Sequence, residues 1–118
     1  MGVPQQRGAA AETLAAAFLE LNGWTIEARN TRIAGVEIDL VVVRDRTRAL
    51  VEVKCRGRTD YGGAALAVDR AKRERLRRAA RCLAGRDAFA TRIDVVAIEW
   101  NEDGAAVRRY PNAVQEGA

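Results

Sequence analysis

The chain of 118 residues contains no histidine and no serine. These two absences exclude a serine triad, a histidine general base and a histidine-ligated metal centre within one chain. Any catalysis must therefore use carboxylates, lysine, arginine, tyrosine, thiols or a bound metal. Lysine is scarce: of the 20 basic residues only Lys54 and Lys72 are lysine. The two cysteines, Cys55 and Cys82, have neither CxxC spacing nor histidine companions, which argues against zinc and for free thiols in a reducing compartment. Aromatic residues make up 5% of the chain and form no stacking array, so recognition of single strands on an aromatic sheet is not expected. No apolar run approaches the roughly 20 residues of a membrane span. The opening MGVPQQRGAA lacks the apolar core of a signal peptide. The expectation is a cytoplasmic protein without a membrane partner.

A chain that is 48% hydrophobic and 31% charged suits one globular domain over residues 1–118, with an ordered core over about 8–110. The net charge of +4 and a pI near 9.7 favour a polyanionic partner, with nucleic acid the leading choice.

Strong helix formers run from Gly8 to Asn22, with Leu14, Phe18 and Leu21 on one face and Gly23 as the stop. A half-buried strand from Trp24 ends at the turn-prone Asn30, and a short connection through Gly35 leads to VEIDLVVV. That run and RALVEVKC, separated by polar residues, read as a hairpin. The stretch 57–65, GRTDYGGAA, reads as a loop. Asp69 then caps a helix to about Ala84, with Leu76, Ala79, Ala80 and Leu83 inward and Gly85 as the stop. TRIDVVAIEW and AAVRRY are two further strands, and the residues from Pro111 onward read as frayed. The order α β β β α β β implies an α/β fold with a central mixed sheet flanked by helices.

Strand VEIDLVVV is apolar apart from Glu37 and Asp39, which period two places on one face. In LVEVKC the same period groups Leu50, Glu52 and Lys54 on one face and Val51 and Val53 on the other. If the hairpin turns through the four residues Arg44 to Thr47, Val43 pairs with Arg48, Asp39 lies opposite Glu52, and Glu37 lies opposite Lys54. Opposed residues have Cβ atoms about 5 Å apart, close enough for two carboxylates to share one ion. Two such carboxylates on a half-buried strand repel, and desolvating each is costly unless a cation compensates. Lys54 alone would make an ordinary cross-strand salt pair. Alternatively a hard cation, Mg²⁺ or Mn²⁺, would be held by Asp39, Glu52 and a main-chain carbonyl such as that of Val53. It would acidify a water that Lys54 positions toward a phosphodiester. The use of lysine in a chain that otherwise answers with arginine suits a site that needs a compact or titratable ammonium.

These residues resemble the pattern of the YraN-like family of small bacterial proteins, from about Gly8 to Ile98. The matching pieces are Ala11-Glu12, Leu19 to Gly23, Asn30, Val36 to Leu40, Leu50 to Lys54, Lys72-Arg73 and Arg92 to Val96. Ala11 and Val36 stand where the family has Gly, and Ile93 where it has Phe. That family is similar to the restriction-endonuclease-like superfamily, including archaeal Holliday junction resolvases, whose site is a helix Glu, a strand Asp and Glu-x-Lys on the next strand. The resemblance implies that Glu12, Asp39 and Glu52 are metal ligands and that Lys54 is the catalytic lysine.

The second helix carries Arg70, Lys72, Arg73, Arg75, Arg77, Arg78 and Arg81 against Glu74. Such a run is a solvated face or, beside a phosphodiester site, a surface for backbone phosphates. Arg56, Arg58, Tyr61, Lys72, Arg73 and Arg77 are the candidate nucleic-acid contacts. The leading expectation is a metal-dependent endonuclease acting on duplex or branched DNA, with a homodimer suited to paired cuts. The alternatives are a nuclease-fold protein that binds nucleic acid without cutting it, and an interaction module whose basic helix meets an acidic protein.

Overall fold

The structure is a computed structural model that describes residues 3–56 and 70–114. Its elements are α1 (Val3–Leu21), β1 (Thr25–Ile33), β2 (Val36–Arg44), β3 (Thr47–Arg56), α2 (Arg70–Leu83), β4 (Ala90–Asn101) and β5 (Gly104–Tyr110). This is the expected α β β β α β β order. The strands form one sheet in the order β1-β2-β3-β4-β5. All neighbours are antiparallel except β3 and β4, which run parallel and flank the α2 crossover.

Helix α1 begins at Val3, ahead of the expected Gly8, because Pro4 in a first turn forfeits no helical hydrogen bond. Its end is a Schellman motif: Gly23, at φ 89°, donates to the Glu20 carbonyl and Trp24 donates to that of Leu19, both at 3.0 Å. Helix α1 buries Ala11, Ala15, Ala16 and Leu19, while Leu21, expected to point inward, is 87% exposed. The small residues at four-residue spacing set the contact stripe and let the helix lie close to the sheet, and Leu14 and Phe18 pack along it. On the opposite face α2 presents Leu76, Ala79, Ala80 and Leu83 to Val36, Ile38, Val41, Leu50, Ile93 and Val95. This is the inward face that the helical spacing predicts.

The β2–β3 turn is tighter than expected. Arg44 pairs with Thr47, leaving a two-residue loop of Asp45 and Arg46, both at positive φ (49° and 62°), as a primed hairpin turn requires. The shorter loop preserves the Val43–Arg48 register, so every side chain keeps its face. Residues Ala34 and Gly35, also at positive φ, join β1 to β2 in the same way.

The segment 111–114 is packed rather than frayed. Ala113 donates to the Ile93 carbonyl at 2.8 Å, Asn112 donates to Asp94 Oδ1 at 2.9 Å, and Val114 is buried in the α2-side core. Asp94 has no exposed surface and is gripped by Arg92 through Nε and Nη2 (3.0 and 3.1 Å) and by Arg109 at 3.4 Å. Among the described residues no helix is long and apolar enough to cross a membrane.

Candidate functional site

The ladder between β2 and β3 runs from Arg44–Thr47 to Leu40–Val51 and stops there. One step further, Asp39 stands opposite Glu52, as the register predicts, and the Val53 main-chain N–H donates to Asp39 Oδ2 at 2.7 Å. A carboxylate has replaced the next rung of the ladder. Strand β2 also changes face at this point: Val36 and Ile38 lie in the core under α2, whereas Leu40 and Val42 lie in the core under α1. Strict alternation would keep these four residues on one side. Across from Asp39 on β1, Asn30 takes φ 47°, a conformation its short polar side chain tolerates. The positive φ of Asn30 and the change of face in β2 thus coincide where Asp39 emerges. A pocket of about 130 Å³ opens beside it, lined by Asn30, Arg32, Glu37, Ile38 and Asp39.

On β3, Leu50 packs under α2 while Ala49, Val51 and Val53 face α1, so Glu52 projects toward α2. Glu52 is 7% exposed. Burial pushes its carboxyl above the ordinary range, the adjoining Asp39 carboxylate pushes it further, and Lys72 pulls it back. The counter-charge arrives from α2, with Lys72 Nζ 3.2 Å from Glu52 Oε2. The expected cross-strand pair with Lys54 is not the one formed. Lys54 follows on the α2 face of β3, half-buried, and no carboxylate among the described residues engages it. Glu37 does not serve Lys54 either. It is exposed and pairs with Arg32, its ladder partner on β1, at 3.0 Å.

The donors suit a hard divalent cation. Two carboxylates in contact raise each other's charging cost, and a cation between them removes it. A strand residue projects its N–H and C=O to the same edge, so the Val53 carbonyl accompanies its N–H toward β2, where the ladder has ended. Asp39, Glu52 and that carbonyl are an all-oxygen set of the kind that Mg²⁺ and Mn²⁺ take. Glu12 lies half-buried on α1 next to the buried Ala11. Among the described residues no third His, Cys, Asp or Glu gathers with the pair.

The basic face of α2 divides by exposure. Arg70, Arg73, Arg75, Arg78 and Arg81 are exposed, and Lys72 is half-buried at the carboxylates. Arg77, expected to meet nucleic acid, is buried and ion-paired with Glu74. Arg58 and Tyr61 lie outside the described residues, as do the side chain of Arg56, the 57–65 loop and Asp69. Residue-type reasoning missed the Lys72–Glu52 contact, although the scarcity of lysine was the signal for it. One of the chain's two lysines, Lys72, stands at Glu52, and the other, Lys54, follows Glu52 on the same face of β3. Asp94, a lone acid in the apolar run IDVVAI, is a second such signal, since it marks a buried charge in need of partners.

The arrangement defines an α/β protein whose mixed sheet parts at a carboxylate pair, Asp39 half-buried and Glu52 buried, with Lys72 against Glu52. The model of the family described as "Uncharacterised protein family UPF0102" matches residues 11–98, and the chain belongs to that family, the YraN-like family its motifs resemble. A UPF0102 protein of Halorhodospira halophila is 44% identical over 99 residues, covering 84% of this chain and 82% of that protein. UPF0102 proteins of Burkholderia pseudomallei strain 1106a and Burkholderia mallei strain NCTC 10229 are each 48% identical over 95 residues, covering 78% of this chain and 66% of theirs.

Proposed function

We propose that this chain is a divalent-cation-dependent endonuclease of restriction-endonuclease-like type that hydrolyses phosphodiester bonds in duplex or branched DNA, as a cytoplasmic protein. The observation that carries the reading is the meeting of Asp39 and Glu52 where β2 and β3 part, with Lys54 next after Glu52 on the same face of β3. Asp39, Glu52 and the Val53 carbonyl hold the cation. When bound, Mg²⁺ or Mn²⁺ offsets charge on the phosphate oxygens and lowers the pKa of a nearby water. Lys54 orients that water toward phosphorus or steadies the negative charge that develops there. The exposed arginines of α2 hold the DNA backbone without reading sequence.

A second reading, binding without cleavage, is favoured by one observation: Glu12 does not join Asp39 and Glu52 in a three-carboxylate group. Incubation of the protein with labelled linear, flapped and four-way DNA in Mg²⁺, Mn²⁺ or EDTA, beside Lys54→Ala, separates the two. Cleavage that needs the cation and Lys54 is expected. Cleavage that survives EDTA or Lys54→Ala refutes the mechanism, and binding without cleavage in either cation selects the second reading.

A further inference from the structure

We infer that Lys72 is the resident counter-cation of the Asp39–Glu52 pair, holding Glu52 while no divalent cation is bound and released toward a DNA phosphate when one is. The inference deepens the nuclease reading and rests on it.

Two other ion pairs among the described residues are built differently. Asp94 is held by Arg92 through two nitrogens, at 3.0 and 3.1 Å, and Glu27 by Arg48 through two nitrogens, at 2.8 and 3.2 Å. These are planar forks with fixed geometry. Glu52, far more buried than Glu27 and less so than Asp94, receives the ammonium of Lys72. A lysine is a point charge on a flexible four-carbon stem, without the geometric lock of a guanidinium. In a chain with 20 basic residues and only two lysines, one of the two stands at the carboxylate pair to which the nuclease reading assigns another cation.

The two cations compete. An ammonium 3.2 Å from Glu52 Oε2 and a divalent ion on the same carboxylate repel strongly in a poorly solvated site. Binding of either therefore weakens the other by the same factor. Lys72 is the third residue of α2, between the exposed Arg70 and Arg73, so an ammonium leaving Glu52 joins the surface assigned to phosphates. Lys72 thus acts on the cation through Glu52, as a positioning residue, while Lys54 serves the reaction.

The test is Mn²⁺ titration followed by the EPR signal of the free ion, on wild type, Lys72→Met, which keeps the aliphatic stem, and Lys72→Arg. Circular dichroism confirms folding, and Lys72→Ala serves if the Met variant fails to fold. Lys72→Met should bind Mn²⁺ about tenfold more tightly than wild type, the factor set by one pKa unit's worth of electrostatic coupling. Lys72→Arg should bind no more tightly than wild type. Equal or weaker binding by a folded Lys72→Met overturns the inference and leaves the metal site standing, whereas no Mn²⁺ binding by any protein overturns both. A second arm uses the Lys54→Ala background and duplex DNA. There Lys72→Met should lower DNA affinity several-fold in Mn²⁺ and less than twofold in EDTA, and equal losses in both would refute the handover to phosphate.

Discussion

Replacing Glu52 with Gln should stabilise the protein in the absence of divalent cations. Burial and the Asp39 charge raise the Glu52 carboxyl above its ordinary value of 4.5, so the folded chain binds this proton more tightly than the unfolded one. Stability therefore falls as pH rises through the range above 4.5 and is greatest below it. Gln removes the charge and the repulsion with Asp39, but it also removes the Lys72 ion pair. A buried carboxylate costs several kcal/mol to desolvate, a buried partner returns most of that, and an exposed pair is worth about 0–1 kcal/mol. The net gain at pH 7.5 should be about 1 kcal/mol, or about 4 °C in Tm for a domain of this size. Thermal unfolding in EDTA between pH 5 and 8 measures it, and the advantage of Glu52→Gln should shrink as pH falls toward 4.5. Saturating Mn²⁺ should reverse the order, since a cation at about 100 times its Kd stabilises wild type by about 2.7 kcal/mol and leaves the variant unaffected. If Glu52→Gln melts below wild type in EDTA at pH 7.5, Glu52 is a net stabiliser through Lys72 and the reasoning is wrong.

Other changes separate the architecture from the site. Asp94→Ala leaves Arg92 and Arg109 without their buried partner and frees Asn112; it should cost about 3–5 kcal/mol in urea unfolding while leaving Mn²⁺ affinity of the folded protein unchanged. Converting the Asp45-Arg46 turn to Asn-Gly places at both positive-φ positions the residues that best tolerate that conformation, and should add about 1 kcal/mol by the same assay. DNA affinity should fall steeply and linearly in a log-log plot against salt, and a flat response would point to an acidic protein partner instead.

Much of this architecture is legible in the sequence because it rests on alternation and punctuation. Leu50, Glu52 and Lys54 take the face that period two assigns, and the hairpin register survives a wrong loop length because only a shift of register moves side chains across the sheet. The opposition of Asp39 and Glu52 follows from that register. What was illegible depends on contacts distant in sequence. The crossing of β2 at Asp39 breaks the periodicity that would otherwise foretell it, and only the Val53 hydrogen bond shows the cause. Lys72 reaches Glu52 because α2 packs over the sheet, which no local pattern encodes. Segment 111–114 looks like a polar tail until buried Asp94 ties Asn112 to the sheet.

The central claim is that Asp39 and Glu52 share one divalent cation. A crystal grown with Mn²⁺ and measured at a wavelength where manganese scatters anomalously tests it directly. The account predicts one anomalous peak about 2.1 Å from a carboxylate oxygen of each residue, with Lys72 moved away from Glu52. A map with no peak there, and Lys72 still on Glu52 at saturating Mn²⁺, would contradict it.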